Sequence, residues 1–343
     1  MEGRIGKDGA IAKLTCSLGA ACVLGIVVFT PSPLAAAPSF SAWSAPENLG
    51  PIVNSASVEI GPSISKDGRS LYFASNRSGN FDIWVSQRVS EDSPWEAPVN
   101  LGAPVNTTRL ESVPTLSRDG HWLFFNSDRP GGFGGVDIWA SFRFDKHDDF
   151  AWQEPVNLGP GVNFESSEAN CVFDGGAFLF DKDDDDGTRL LFFGSDRPGV
   201  HPAPAVCPAN AALPIDIYVS EQMGNGSFGP AMLVPELNSV RNDQRPVLRS
   251  DGRELFLFSD RGGNDDLWTS TRESEDDAWS NPVNLGPTIN TAFRDVQAFL
   301  ASDRRTLFFA SNRPPGSDCP LGCGNFDLYM TTRTKMKRSE RDR

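Results

Sequence analysis

The chain repeats one short sequence unit five times, and this repeat limits the possible folds more than any other feature. Each copy has Ser, then Asn or Asp, then Arg, followed after a variable gap by Asp, an aliphatic residue and Trp or Tyr. The copies are SNRSGNFDIW (75–84), SDRPGGFGGVDIW (127–139), SDR…DIY (195–218), SDRGGNDDLW (259–268) and SNR…DLY (311–329). Strand-like repeats with a period of about 50 residues are typical of a β-propeller.

Each repeat contains four strand-like segments. The first follows an acidic residue, as in EIGPSIS (59–65), and an Asp-Gly turn such as Asp67-Gly68 joins it to an apolar second segment. The third, for example DIWVSQR (82–88), alternates apolar and polar residues like a half-buried strand. The fourth, for example WEAPVNLG (95–102), contains Pro and therefore suits an edge strand. In the third copy the first segment is assigned to EANCVF (168–173), followed by an insertion over 174–189.

The order of the segments predicts how the ring closes. A fourth segment, WSAPENLG (43–50), comes first, and a third segment, DLYMTTR (327–333), comes last. We therefore predict an all-β, five-bladed propeller with four-stranded antiparallel blades, closed by an N-terminal outer strand that pairs with the last blade. Six blades are the alternative if a further blade lies within 174–216.

The N-terminus predicts export. Basic residues (Arg4, Lys7 and Lys13) precede an apolar run over 14–30, and small residues follow it. The predicted organisation is a signal peptide over 1–36, a single propeller domain over 37–333 and a basic disordered tail over 334–343. An uncleaved N-terminal anchor is the alternative for 1–36, because the run is near the lower limit for a spanning helix. The predicted location is periplasmic or secreted, with membrane contact only if the leader is uncleaved.

Charge and cysteine content restrict the partners. The formal net charge is −14 and the isoelectric point about 4.7, which disfavours nucleic acid and anionic lipid as ligands. A soluble monomer that contacts a protein or a cell-envelope glycan is expected. An even number of cysteines behind an export signal favours disulfides, and the proposed pairs are Cys171–Cys207 and Cys319–Cys323.

The repeat resembles the WD-like propeller repeat of the TolB type. The matching patterns are the P-x-[LI]-S-x-D-G turn, the [LF]-F-x-S-[ND]-R run and the D-[IL]-[WY] strand, over about residues 43–333. The additional N-terminal α/β domain of TolB has no room here. The resemblance therefore implies the propeller and not the function of the Tol system.

Two repeated sets of polar residues are candidates for chemistry. In the first set, the Arg of each copy is predicted to pair with the Asp that opens the next strand, as a structural clamp. The pairs are Arg77–Asp82, Arg129–Asp137, Arg197–Asp216, Arg261–Asp266 and Arg313–Asp327.

The second set is acidic and precedes the first strand of each blade, so its members should surround one mouth of the central channel. They are Glu59, Glu111, Glu168, Asp243 and Asp295. Their functional interpretation is a cation or sugar site, and glycan cleavage would use carboxylates from different blades. The alternative, which the strict repetition favours, is that each acid binds local backbone amides or a repeat Arg.

Departures from the repeat indicate where specific binding could occur. Long loops at 198–215 and 314–325 and the Gly-rich loop of the second copy should lie at the mouth that carries the acids. The predicted binding face therefore includes His201, Gly131, Gly132 and Phe133. Asp181, Asp183 and Asp185 have the spacing of a calcium loop, but the following Gly and Glu are missing, and a solvated acidic loop is the alternative. No cofactor is predicted beyond this weak calcium candidate.

The sequence does not indicate nucleophilic catalysis. It contains three His and no Gly-x-Ser-x-Gly motif. We therefore predict an exported propeller that acts as a non-catalytic binding or scaffold module for a protein or a cell-envelope glycan. The alternative is a glycan-active hydrolase that uses carboxylates at the channel mouth.

Overall fold

A computed structural model describes residues 40–164, 174–182, 187–197, 214–314 and 326–336. These residues fall within one compact unit, Pro38–Arg343. They form twenty strands in five antiparallel sheets of four strands each, arranged as a five-bladed β-propeller. The predicted fold class and blade count are confirmed. None of the described segments is a helix long and apolar enough to cross a membrane.

The first two blades follow the predicted segments. Blade 1 consists of β2 (Glu59–Ile64), β3 (Ser70–Ser75), β4 (Asp82–Gln87) and β5 (Val99–Asn100). Blade 2 consists of β6 (Glu111–Leu116), β7 (Trp122–Ser127), β8 (Asp137–Phe142) and β9 (Val156–Asn157).

The other blades have the same strand order from the channel outward. Blade 3 consists of β10 (Asp174–Asp181), β11 (Arg189–Ser195), β12 (Asp216–Glu221) and β13 (Met232–Leu233). Blade 4 consists of β14 (Asp243–Leu248), β15 (Glu254–Ser259), β16 (Asp266–Thr271) and β17 (Val283–Asn284). Blade 5 consists of β18 (Asp295–Leu300), β19 (Thr306–Ser311), β20 (Asp327–Thr332) and β1 (Glu47–Asn48).

The ring closes as the sequence predicts. In β1, Glu47 pairs with Met330 and Asn48 pairs with Tyr329 of β20, antiparallel. Pairing continues beyond the predicted end of the domain, since Phe40 forms a bridge with Lys335. The first two residues of the predicted tail therefore belong to the closure. The predicted signal peptide (1–36) and the end of the tail (337–343) lie outside the described residues.

Blade 3 differs from the prediction at its inner strand. That strand is β10, so the stretch assigned as an insertion supplies the strand itself. Asp174 pairs with Ser195, in the register that Glu59 and Ser75 have in blade 1. Asp174, rather than Glu168, therefore holds the acidic position of blade 3. The segment 168–173 lies outside the described residues.

The five inner strands contact one another around the channel and run in the same direction along it. We call the end where they begin the acid mouth, defined by Glu59, Glu111, Asp174, Asp243 and Asp295. The opposite end, where they turn into the second strands, is the turn mouth, defined by Ile64, Leu116, Asp181, Leu248 and Leu300. Apolar side chains between neighbouring blades form the core, with Phe73, Phe256 and Phe309 fully buried.

Candidate functional site

The acids of the acid mouth are occupied by local partners. The Glu59 carboxylate is fully buried and accepts hydrogen bonds from the hydroxyl of Ser55 at 2.6 Å and the hydroxyl of Ser75 at 2.8 Å. The guanidinium of Arg77 donates to the same carboxylate at 2.8 Å. Glu111, Asp243 and Asp295 are equally buried, and a repeat Arg pairs with each. These four carboxylates are closed to a substrate, so their local, structural interpretation fits the geometry.

The predicted clamp has different partners. Arg77 reaches back to the acid of the inner strand, with its guanidinium over the rings of Phe73 and Trp84 at 5.3 and 5.1 Å. The equivalent arginines Arg129, Arg261 and Arg313 also pair with the inner acid of their own blade. The predicted pairing of Arg with the next Asp is therefore wrong in these four blades. The Trp or Tyr that recurs in each third strand provides the ring on which the repeat Arg packs.

The Asp of each predicted clamp binds the outer strand instead. Asp82 accepts from the hydroxyl of Ser78 at 2.6 Å and from the amide of Asn100 at 2.8 Å. Asp137, Asp266 and Asp327 accept from the corresponding outer-strand amides, Asn157, Asn284 and Asn48. The reason is the sheet register. In blade 1, Asp82 pairs with Ser75, which precedes Arg77 by two positions. Asp82 therefore lies beside the outer strand. In blade 3, Arg197 donates to Ser195 Oγ at 2.7 Å and to the carbonyl of Val162.

One of these aspartates has a clearly perturbed protonation equilibrium. Burial raises the pKa of Asp327 from 3.8 to about 6, and the negative charge of Glu59 adds to the shift, whereas the hydrogen bond from Asn48 opposes it. Its Oδ1 has no hydrogen-bond partner among the described residues. Asp327 is only 2% exposed, so this perturbation affects stability rather than a substrate.

The predicted binding face is only partly described. The amide of Phe133 donates to Asp137 at 2.6 Å, and a Cβ on Gly132 would overlap the same carboxylate. The loop at Gly131 therefore folds onto its own blade. His201 and the four disulfide candidates, Cys171, Cys207, Cys319 and Cys323, lie outside the described residues, as does Glu168.

The calcium candidate is also only partly described. Asp181 forms an ion pair with Arg189 at 2.8 Å, and its carboxylate is therefore engaged by a cation. Asp183 and Asp185 lie outside the described residues. Within the described ranges, no three acidic, His or Cys side chains are grouped as metal ligands.

The turn mouth opens into an apolar funnel of about 210 Å³. Its walls are the ends of the inner strands, and two aromatic rings, Phe178 and Phe299, lie 6.3 Å apart between their centroids. Phe180 lies two positions after Phe178 on β10 and lines the same funnel. The funnel exists because blade 3 and blade 5 place aromatic residues where the inner strands meet.

A larger polar cavity of about 530 Å³ continues from the funnel. The two share Arg118, Asp181 and Ser250. Four cationic and four acidic side chains line the polar cavity, so its charges balance. These are Arg118, Lys182, Arg253 and Arg304, and Asp181, Asp251, Glu275 and Asp276.

The carboxylates of this cavity have different environments. Asp251 accepts from Arg249 at 2.7 Å and pairs with Arg304 at 3.3 Å. Burial alone would raise the pKa of Asp251, but the hydrogen bond and charge of Arg249 outweigh it and hold that pKa below its usual value. Asp276 is exposed and pairs with Lys182 at 2.8 Å. The cavity thus contains one carboxylate that is held ionised, Asp251, and one that is exposed to solvent, Asp276.

The sequence did not reveal this cavity. The residues of the funnel and the polar cavity come from the ends of the inner strands of all five blades, from the turns that follow them and, in blade 4, from the loop between the third and fourth strands. Asp251 belongs to the repeated Asp-Gly turn and Glu275 recurs as Glu91 in blade 1, but Phe178 and Phe299 belong to no repeated motif. The signal that could have found it is the pair of Phe residues in β10, a strand that was assigned as an insertion.

No family model matches the chain, and no curated protein matches it. Solved structures do. The α-L-arabinofuranosidase of Podospora anserina superposes with a TM-score of 0.53 at 12% identity, covering 87% of this chain and 98% of that one. An α-L-arabinofuranosidase from Lactobacillus brevis superposes with a TM-score of 0.52 at 14% identity, covering 84% and 93%. The likeness shows the shared fold.

These matches correct the functional prediction. The prediction of a non-catalytic binding or scaffold module is overturned, because these two solved propellers are α-L-arabinofuranosidases. The alternative was a glycan-active hydrolase with carboxylates at the channel mouth. Four of the five acids predicted for it are buried in ion pairs.

The TolB-type resemblance stays a prediction. A putative TolB from Agrobacterium tumefaciens superposes with a TM-score of only 0.43 at 12% identity, covering 87% of this chain and all of that one. A superposition at that level does not distinguish one class of propeller from another. The repeat is therefore assigned to the five-bladed propeller and no further.

Proposed function

We propose that the protein is a glycan-active hydrolase whose substrate binds at the turn mouth. The observation that carries the proposal is the continuous cavity there, which joins an apolar funnel to a polar pocket of balanced charge. A sugar ring has apolar C–H faces and a rim of hydroxyl groups. It therefore suits the half-buried ring of Phe178 on one side and charged hydrogen-bonding groups on the other.

The substrate class follows from the charge balance and from the related folds. A cavity with equal numbers of cations and carboxylates favours a neutral ligand over a charged one. The solved propellers with this fold include arabinofuranosidases, and the Podospora anserina enzyme is described in complex with cellotriose. A neutral polysaccharide with pentose or hexose units is therefore the proposed substrate.

Hydrolysis of a glycosidic bond needs a carboxylic acid on one side and a carboxylate on the other. Asp251, held ionised by Arg249 and Arg304, suits the carboxylate role. Glu275 lies on the same wall, with its Cγ 2.9 Å from the position that a Cβ on Gly252 would occupy. We assign Glu275 the role of proton donor.

The predicted export signal supports a substrate outside the cytoplasm. The partner in this proposal is a polysaccharide of the cell envelope or of the surroundings. The net charge of −14 agrees with a neutral polymer, since an anionic one would be repelled.

The test is release of reducing sugar from arabinoxylan and of nitrophenol from an aryl α-L-arabinofuranoside. The wild-type protein is expected to be active, and Glu275→Gln is expected to lower kcat by about 100-fold or more. Glu91→Gln is the matched control. Glu91 packs against Gly68 in blade 1 as Glu275 packs against Gly252, but it does not line the cavity.

Two results would count against the proposal. One is a folded wild-type protein that releases no sugar from either substrate. The other is activity that survives in Glu275→Gln and Asp251→Asn alike, which would place the chemistry outside the turn mouth.

A further inference from the structure

A buried arginine occupies the centre of the channel. Arg245 lies in β14, is 3% exposed and has a backbone φ of 47°. Its side chain crosses the channel toward blade 1, where Nη2 donates to the carbonyl of Pro62 at 2.9 Å. Its Nη1 lies 3.0 Å from the position that a Cβ on Gly61 would occupy. The guanidinium therefore closes the channel about midway between the mouths.

The charge of this arginine is not balanced within the described residues. No carboxylate among them pairs with Arg245, and its Nε and Nη1 have no hydrogen-bond partner. Burial lowers the pKa of Arg245 from its usual value to about 9. The side chain is therefore still a cation at neutral pH. A buried charge without a partner is costly, and proteins normally pair it or bind a counter-ion.

A small cavity lies beside the guanidinium. It measures about 20 Å³, which is room for one water-sized particle. Asn126 and Gln297 line it, and Nδ2 of Asn126 and Oε1 of Gln297 are both buried without a hydrogen-bond partner among the described residues. A terminal amide can turn to present either its oxygen or its nitrogen, so both side chains can donate into the cavity. Three polar groups that need partners thus surround one small space.

We propose that this cavity is a binding site for a monatomic anion such as chloride, held by Arg245 and by the amides of Asn126 and Gln297. With the amide of Gln297 turned so that its Nε2 faces the cavity, the three side chains present N–H donors, which suit an anion and not a metal cation. The size of the cavity excludes sulfate, phosphate and carboxylates. The bound anion neutralises the guanidinium and links blades 2, 4 and 5 at the axis of the ring.

The site depends on one position at which the five inner strands differ in sequence. Each inner strand has a bulge residue with positive φ at the same position. The five residues are Gly61, Val113, Gly176, Arg245 and Gln297. A Cβ on Gly176 would lie 3.1 Å from Cα of Arg245, so the glycines of blades 1 and 3 leave the space that the arginine fills. Only blade 4 carries a charge at this position.

The first test is the melting temperature of the protein at constant ionic strength in sodium chloride and in sodium gluconate. Gluconate is too large for the cavity. Saturating chloride is expected to raise the melting temperature by about 2–4 °C. Arg245→Met should abolish this difference, because the cation that holds the anion is gone. Arg69→Met, at an exposed position in a turn, is the control and should retain it.

The second test does not depend on a variant that folds. Crystals of the wild-type protein grown in sodium bromide should show an anomalous peak within about 3.5 Å of the Arg245 guanidinium. Equal melting temperatures in the two salts, or no bromide peak at this position, would overturn the proposal. Both tests are independent of glycan cleavage, so either proposal can fail alone.

Discussion

At the scale of single residues, the repeated polar side chains find their hydrogen-bond partners within the repeats. The amide of Asn106 illustrates this, because its Oδ1 accepts from the backbone N–H of Ile83 and its Nδ2 donates to the carbonyl of the same residue, both at 2.8 Å. The side chain thus continues the ladder of hydrogen bonds beyond the short outer strand. Asn54, Asn163, Asn238 and Asn290 do the same in the other blades. The repetition of this asparagine therefore marks construction of the blade.

Asp327→Asn is expected to stabilise the protein at pH 8. The pKa of Asp327 is about 6 in the folded protein, above 3.8 in the unfolded chain. The folded state therefore binds the proton more tightly. The stability that the protonated carboxyl contributes is fully present below about pH 4 and is lost as the pH rises through about 6. An uncharged amide does not lose that stability as the pH rises. The free energy of unfolding of Asp327→Asn should therefore exceed that of wild type by roughly 1–2 kcal/mol at pH 8 and equal it at pH 4.

Urea unfolding at pH 4, 6 and 8 measures this effect. Asp82→Asn is the control, because its carboxylate accepts hydrogen bonds from both Ser78 and Asn100. That variant should not be stabilised at any of the three pH values. A free energy of unfolding for Asp327→Asn that runs parallel to wild type across the range would show that Asp327 does not titrate as described.

At the scale of elements, the inner strands are the unusual part of each blade. All five contain a bulge, and Val113 adopts a φ of 52°, a conformation that β-branched residues rarely take. The bulges bring backbone close to backbone at the axis. Gly61 is required there, since a Cβ would lie 2.9 Å from Cα of Val113.

Gly61→Ala is expected to lower the free energy of unfolding by about 3 kcal/mol. One part is the cost of positive φ for a residue with a Cβ, and the other is the clash with backbone that cannot move aside. Gly286→Ala is the matched control, because Gly286 has a φ of 81° but no atom within 4 Å of its Cβ position. Urea unfolding should show a loss of only about 1–2 kcal/mol for the control. An equal loss of unfolding free energy in both variants would mean that the backbones of Gly61 and Val113 are not in close contact at the axis.

At the scale of the whole molecule, stability depends on closing the ring. The strand β1 covers the edge of β20, and Trp43 packs on Phe256 at 6.1 Å between ring centroids. The guanidinium of Arg333 lies 4.5 Å from the ring of Trp43 and pairs with Glu254 at 2.6 Å. The two ends of the described chain are therefore joined to each other by sheet pairing and by the contact of Arg333 with Trp43, and both are held to blade 4.

Removal of residues 40–50 is expected to expose the edge of β20 and to cause loss of the folded monomer. An uncovered edge strand pairs with other chains, so aggregation or a lower melting temperature should follow. Size-exclusion chromatography and thermal unfolding measure this. Removal of residues 337–343, the end of the predicted disordered tail, is the control and should leave both unchanged. A deletion of 40–50 with wild-type stability would contradict the role of β1.

The sequence predicted the parts of the fold that repeat. The Asp-Gly turns, the alternating third strands and the Pro-containing outer segments fixed four blades and the closure by β1. It misplaced the inner strand of blade 3, because the segment around Glu168 mimics the start of the other inner strands. The predicted pairing of Arg77 with Asp82 is wrong because the sheet register places the Arg beside Glu59. A sequence motif does not specify that register.

The candidate site could not be predicted in the same way. Phe178, Phe299, Asp251 and Glu275 come from three blades and share no local pattern. They meet because the ends of strands distant in sequence converge at one mouth of the channel. The expected site at the acid mouth is closed because each repeat supplies an Arg partner for its own acid.

A crystal structure of Glu275→Gln with an arabinoxylan oligosaccharide shows whether the substrate binds at the turn mouth. Sugar density is expected there, with a ring against Phe178 and a glycosidic oxygen within hydrogen-bond distance of residue 275. Density at the acid mouth, over the loop that contains Phe133, would contradict this expectation.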